Sequence, residues 1–199
     1  MIIRTIAVLL LAQSLIFGFQ SDLKNSPLPA KSKTCSPAEE KWWNDLREKA
    51  LSITKLSKML NDADLKYRNN GAQYRDLKNL NARAEELRLG REELLGIIKS
   101  GEDNSYQAPT EDRKITVLAG PVPSYTEEAR RNHVSGTIVV EVQFLADGRL
   151  ANAHALNSLG FGLDQDALKS AYRIVFIPAI EGGHFKDSIQ KVKVSYSQV

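Results

Sequence analysis

The spacing of apolar residues changes along the chain from the period of a helix to the period of a strand. Between residues 38 and 100, apolar residues recur at intervals of three and four, which places them on one stripe of an α-helix. Between residues 137 and 145, and again between residues 188 and 197, apolar and polar residues alternate, as is typical of a half-buried strand. The pattern therefore predicts an α+β fold, with a helical segment followed by a small domain built on a sheet.

Two helices are predicted in the helical segment. The stripe of the first, near residues 38–68, consists of Trp43, Leu46, Ala50, Ile53, Leu56 and Leu60, and that of the second, over residues 73–99, consists of Leu77, Leu80, Ala84, Leu87, Leu94 and Ile98. Asn69-Asn70-Gly71 is expected to end the first helix, because Asn and Gly enter left-handed backbone at little cost. The two helices form either a hairpin that buries its own seam or an extended coiled coil that makes a homodimer.

The adjacent Trp42 and Trp43 have two interpretations. Aromatic anchors dominate protein interfaces, so the pair could dock a partner. The same residues lie on or beside the apolar stripe, which favours a place in the core. Both interpretations remain open from the sequence.

A three-stranded antiparallel sheet packed on two helices is predicted for residues 114–199. The strands are expected at residues 137–145, 150–156 and 188–197. Asp147-Gly148 favours a tight hairpin turn between the first two, because these residues tolerate positive φ. Helices are expected to start at the capping pattern Ser124–Glu127 and at Asp164, and a further short strand is expected at Ile174–Ile177. Strands with one apolar face need one covering layer, so both helices are expected on the same side.

The N-terminus has the composition of an export signal. Residues 1–21 combine Arg4 with an apolar run that is shorter than the roughly 20 residues of a membrane-spanning helix. Removal after export is therefore expected, with an uncleaved anchor in the inner membrane as the alternative. Residues 22–37 are rich in Pro, Ser and Lys and are expected to form a tether, in which Cys35 is a solvent-exposed thiol. The predicted divisions are a signal at 1–21, a tether at 22–37, a helical hairpin or coiled coil at 38–100, a linker at 101–113 and a sheet domain at 114–199.

Charge and composition argue against several classes of function. The 199 residues carry 27 basic and 24 acidic side chains, a net charge of +3, which is too small to indicate a nucleic-acid partner. The single cysteine excludes an intramolecular disulfide and a zinc site built on cysteine pairs. His133, His154 and His184 lack the spacing of metal ligands, and neither a nucleophile elbow nor a phosphate-binding loop occurs. We therefore expect no catalytic residues, no metal and no cofactor.

Five short segments of the C-terminal region occur in a characteristic order. They are Pro123-Ser124-Tyr125 with Glu128-Ala129-Arg130-Arg131, Gly136-Thr137-Ile138-Val139-Val140-Glu141-Val142, Asp147-Gly148-Arg149-Leu150, Leu163-Asp164-x-x-Ala167-Leu168 and Phe176-x-Pro178-Ala179. In order and spacing they resemble the C-terminal domain of TonB-type energy transducers. The resemblance runs from Leu118 to the end of the chain, with departures from the family pattern at Val122, Thr126 and Ile174.

The resemblance implies a binding strand at the C-terminus. In the TonB family the domain lies in the periplasm, and its last strand pairs with an extended segment of an outer-membrane transporter, a form of strand addition. Carried over by position, the partner-binding residues are Gln190, Lys191, Val192, Lys193, Val194, Ser195 and Tyr196. The alternation would direct Lys191, Lys193 and Ser195 outward, where the lysines either recognise the partner or protect the edge from aggregation. Replacement of Val194 by proline is expected to remove an amide needed for this pairing.

The resemblance thus implies an exported, periplasmic TonB-like protein that binds TonB-dependent outer-membrane transporters and contributes to energised transport. With an uncleaved anchor, its partners would include the inner-membrane motor proteins. Two helical stretches replace the long spacer of the best-known transducers, which leaves a different function open. That alternative is an envelope scaffold or assembly module with a TonB-like peptide-binding domain and no energy coupling.

Overall fold

A computed structural model describes residues 28, 33–70, 74–120 and 123–197, with side chains at 28, 33–63, 79–120 and 123–197. The predicted signal at residues 1–21 lies outside these ranges. Within them, no helix combines the length and the apolar character needed to cross a bilayer.

The N-terminal part is a helical hairpin of α1 (Pro37–Asn70) and α2 (Tyr74–Asp103). Ser36 and Glu39 cap the start of α1, since the Glu39 carboxylate accepts from the Ser36 N–H (2.8 Å) and the Ser36 hydroxyl accepts from the Glu39 N–H (3.3 Å). The helices run antiparallel, with Lys49 of α1 in an ion pair with Glu93 of α2. The hairpin is therefore confirmed, rather than an end-to-end arrangement of the two helices, and its first helix ends within the predicted break.

The remaining elements alternate between short helices and strands. In chain order they are β1 (Thr116–Ala119), α3 (Glu127–Arg131), β2 (Gly136–Phe144), β3 (Leu150–Ala155), α4 (Leu163–Ala171), β4 (Val175–Ile177), β5 (Ala179–Glu181), β6 (His184–Lys186) and β7 (Ser188–Tyr196). Strands β3, β2 and β7 form the predicted three-stranded antiparallel sheet, with β2 in the centre. Buried residues of α3 and α4 pack on one face of this sheet, so the α+β fold is confirmed.

Two small pairs of strands lie outside this sheet. The strand expected at Ile174–Ile177 is β4, which pairs with β1 antiparallel. Strands β5 and β6 form a hairpin through Gly182 and Gly183, both at positive φ (60° and 88°). Strands of three or four residues are too short to show a period. Strand β4 was predicted from its continuous apolar run before Pro178, whereas β1, β5 and β6 were not predicted.

The hairpin and the sheet domain share a hydrophobic core. Trp43, Leu46 and Ile53 of α1 belong to the same buried cluster as Leu118 of β1 and Ile177 of β4. A second cluster fills the space between the three-stranded sheet and helices α3 and α4. The helical hairpin is therefore packed onto the domain that follows it.

The segments predicted as tether and linker contribute to this packing. Leu28 is completely buried, and Cys35 is half-buried instead of exposed. Residues 101–103 belong to α2, and Ala108 is buried where its N–H donates to the Gly183 carbonyl (2.7 Å). These contacts place Leu28 and Ala108, in the segment before β1, in the same core.

Trp42 and Trp43 are core residues. Their side chains are 6% and 1% exposed, and the Trp42 ring packs against Tyr106 and Phe185. The Trp42 Nε1–H donates to the Ile97 carbonyl (2.8 Å). Burial of this kind leaves no aromatic surface for a partner, so the docking interpretation of this pair is wrong.

Candidate functional site, the outer flank of the last strand

Strand β7 forms one edge of the three-stranded sheet. Its nine residues pair with β2 from Gly136↔Tyr196 to Phe144↔Ser188 without a shift in register. No strand of the described part of the chain pairs with its other side. An edge strand of this length presents a row of backbone donors and acceptors to an incoming chain.

The neighbours of Val139 show which backbone groups of β7 face outward. Val139 lies opposite Lys193. Its N–H donates to the Asn157 side-chain oxygen (2.7 Å), and its carbonyl accepts from the Leu156 N–H (2.8 Å), so both groups point away from β7. In an antiparallel ladder, facing residues exchange either both hydrogen bonds or none. Lys193 therefore directs its N–H and its carbonyl to the outer flank.

The next pair along the ladder gives the same orientation. Thr137 lies opposite Ser195, and its carbonyl accepts from the Asn157 Nδ2–H (2.8 Å) on the side of β3. The hydroxyl oxygens of Thr137 and Ser195 are 3.0 Å apart, as expected for the closer, non-bonded type of pair. Because the register is continuous, the outward-facing residues are Ile189, Lys191, Lys193 and Ser195, which we call the outer row.

This orientation corrects the expectation for Val194. Its backbone faces Ile138 of β2 and belongs to the internal ladder. A proline there would break the sheet itself, so it does not test capture of a partner. Among the predicted binding residues, Gln190, Val192, Val194 and Tyr196 share this inward orientation, whereas Lys191, Lys193 and Ser195 belong to the outer row.

The side chains of β7 alternate as the sequence predicts. Val192, Val194 and Tyr196 are buried, and Lys191, Lys193 and Ser195 are exposed. Sequence reasoning missed Ile189, which is 64% exposed, because an apolar residue at an outward position does not stand out as a site. Its place two residues before Lys191 is the signal that could have found it.

Both ends of β7 are fixed by side-chain contacts. The buried Tyr196 hydroxyl donates to the Asp166 carboxylate (2.9 Å), which also accepts from the Ser124 N–H (2.9 Å). Burial, and then the hydrogen bond to Asp166, raise the pKa of Tyr196 above its ordinary value. Just before β7, the Asp187 carboxylate accepts from the Ala146 N–H (2.7 Å). A strand held at both ends loses little freedom when a second strand binds, which favours binding.

The flank carries positive charge. The ammonium groups of Lys191 and Lys193 form no ion pair within 4.0 Å across residues 33–63, 79–120 and 123–197. Lys193 faces the apolar Val139, and Lys191 faces Glu141, whose carboxylate lies 3.4 Å from His154 Nε2. No cluster of three or more metal-ligating side chains occurs in the same ranges. The chemistry available at this flank is therefore backbone pairing together with charge attraction.

Residues 121–197 match the family described as the Gram-negative bacterial TonB protein C-terminal. No curated protein matches the chain. The matched region contains the whole three-stranded sheet and the outer row.

Proposed function

Because residues 121–197 match the C-terminal domain of the TonB family, we propose that this protein captures an extended segment of a TonB-dependent outer-membrane transporter along the outer row of β7. The family is non-enzymatic, belongs to the cell envelope and serves energy-coupled transport. The periplasmic location, the transporter as partner and the mode of binding are parts of the proposal.

The orientation of the outer row carries this proposal. Four alternate residues direct their N–H and carbonyl groups to the same flank of a strand that is fixed at both ends. An extended peptide laid along that flank satisfies these groups with backbone hydrogen bonds, whatever its side chains. The residues Gln190, Lys191, Val192, Lys193, Val194, Ser195 and Tyr196 then act as a unit, with alternate members pairing with β2 and with the partner.

Replacement of Lys193 by proline tests the proposal. The substitution removes one outward N–H and leaves the ladder between β2 and β7 intact, as is tolerated at sheet edges. We expect a folded variant that binds peptides from the periplasmic ends of the host's TonB-dependent transporters about tenfold or more weakly, since one hydrogen bond is lost and the ring hinders close approach. The measurement is a titration followed by fluorescence anisotropy, with circular dichroism as the check of folding.

Lys193→Ala is the matched control for this variant. It removes the same side chain and keeps the backbone N–H, so most of the affinity should remain. A folded Lys193→Pro variant that binds as tightly as Lys193→Ala would contradict capture by strand addition.

One observation favours the second candidate function, an envelope adaptor without energy coupling. Leu28 is fixed in the shared core, and α1 and α2 fold back on each other, so neither helix extends the reach of the domain. If the apolar run that ends at Phe17 is kept as an anchor, the chain between Phe17 and Leu28 spans at most about 40 Å. An anchored domain would then stay close to the inner membrane.

The N-terminus of the protein in cells separates the two functions. Mass spectrometry that finds a start near Ser21 or Asp22 would support the adaptor, because coupling to an inner-membrane motor requires an anchor. An intact Met1 in the membrane fraction would support coupling.

A further inference from the structure

Two unpaired cations stand beside the unpaired backbone of β7. Lys191 and Lys193 are exposed, and both belong to the outer row. Within the ranges that have described side chains, no carboxylate lies within ion-pair distance of either amine. An incoming strand therefore meets Lys193, which faces the apolar Val139, and Lys191, whose amine forms no ion pair with the Glu141 that it faces.

Cross-strand geometry determines which side chains of the incoming strand meet these lysines. Side chains directly opposite one another on neighbouring strands have Cβ atoms roughly 5 Å apart, so opposite charges attract and like charges repel. Every second residue of the incoming strand lies on the solvent face, next to Lys191 and Lys193. Carboxylates at these positions are favoured, and lysine or arginine is disfavoured.

The other face of the incoming strand meets apolar surface. The central strand β2 has fully buried inward side chains, such as Ile138 and Val140 at 0% exposure. The corresponding residues of β7 keep a narrow exposed strip, with Val192 at 8% and Val194 at 6%. Apolar side chains on a neighbouring strand would cover this strip.

We propose that the segment captured on β7 is an acidic amphipathic strand, with carboxylates facing Lys191 and Lys193 and apolar side chains over Val192 and Val194. This inference rests on the proposed function and adds to it the chemistry of the partner. It also distinguishes the two roles of the lysines. A charged side chain of either sign protects an edge strand from aggregation, whereas recognition of carboxylates on the partner requires positive charge.

A charge-swap experiment tests the inference on the full chain. The probes are two synthetic nine-residue peptides in which valine alternates with glutamate in one and with lysine in the other. We expect the wild-type protein to bind the glutamate peptide about tenfold more tightly than the lysine peptide. The double variant Lys191→Glu/Lys193→Glu should reverse the preference, and the wild-type preference should shrink as salt is raised.

Lys99→Glu/Lys169→Glu is the matched control, because it changes net charge equally at exposed positions on α2 and α4. It should keep the wild-type preference.

Equal binding of both peptides to the wild type, with both weakened in Lys193→Pro, would overturn the acidic preference and leave strand addition standing. A preference that survives the Lys191→Glu/Lys193→Glu change would also overturn it, and failure of both peptides to bind would overturn strand addition as well.

Discussion

Gly101 lies against Trp42 near the end of α2, and its replacement by alanine tests how the base of the hairpin is packed. A Cβ at Gly101 would lie 2.4 Å from Trp42 Cζ2 and 2.5 Å from Cε2. The indole cannot move aside easily, because it is 6% exposed and its Nε1–H donates to the Ile97 carbonyl (2.8 Å). It also packs against Phe185, with ring centroids 6.0 Å apart.

Two effects of opposite sign decide the result. In an open helix, glycine to alanine stabilises by up to about 1 kcal/mol. Overpacking against a buried ring costs about 1–3 kcal/mol, and displacement of the indole adds about 1 kcal/mol for its hydrogen bond. We expect Gly101→Ala to lower the free energy of unfolding by about 1–3 kcal/mol, which for a chain of this size lowers the Tm by roughly 2–12 °C.

Gly96 provides the matched control in the same helix, because nothing lies within 4 Å of a Cβ built there. Gly96→Ala should raise the free energy of unfolding by up to about 1 kcal/mol. Urea denaturation followed by tryptophan fluorescence measures both variants. If Gly101→Ala stabilised the protein as much as Gly96→Ala does, Trp42 would not lie over Gly101 and the packing of the hairpin would be refuted.

Three further changes give measurable outcomes. Tyr196→Phe keeps the ring and loses the hydroxyl contact to Asp166, so thermal denaturation should show a loss of about 1–2 kcal/mol, and an unchanged Tm would contradict that contact. Hydrogen bonds, the largest contribution coming from the Ser158 hydroxyl, lower the pKa of Asp164 in the folded protein. The ionised carboxylate therefore stabilises the fold above the ordinary pKa of an aspartate, and this stabilisation is lost as the pH falls through the folded-state pKa. In Asp164→Asn this contribution should disappear from the acid limb of unfolding. An equally steep acid limb in that variant would contradict it. Deletion of residues 1–103 exposes the shared core, so the remaining domain should bind the dye ANS and lose solubility, and a fully stable, soluble fragment would argue against that core.

The long elements could be predicted because their periods are strong. The helical stripe of residues 38–100 and the alternation of residues 137–145 each leave one apolar face that must be buried, which predicts two helices packed as a hairpin or a coiled coil and a half-covered sheet. Strands β1, β5 and β6 depend instead on tertiary contacts. The bridge between Arg113 and Ile180 is an example, since nothing in the local sequence of either residue marks it.

The candidate site was predictable as a strand, and its orientation was not. Alternation in β7 indicates which side chains face solvent. The direction of each N–H depends on the register with β2, which is visible only through contacts such as that between Val139 and Asn157. For this reason the sequence directed attention to a proline at Val194, whereas the structure directs it to Lys193.

Hydrogen exchange of the β7 amides tests the open flank most directly. In the free protein, the amides of Val192 and Val194 should exchange slowly, because they bond to β2, and those of Lys191, Lys193 and Ser195 should exchange quickly. Addition of a transporter peptide should slow the second set and leave the first unchanged. Slow exchange of Lys191, Lys193 and Ser195 before any peptide is added would mean that the flank is already paired, and would contradict capture along β7.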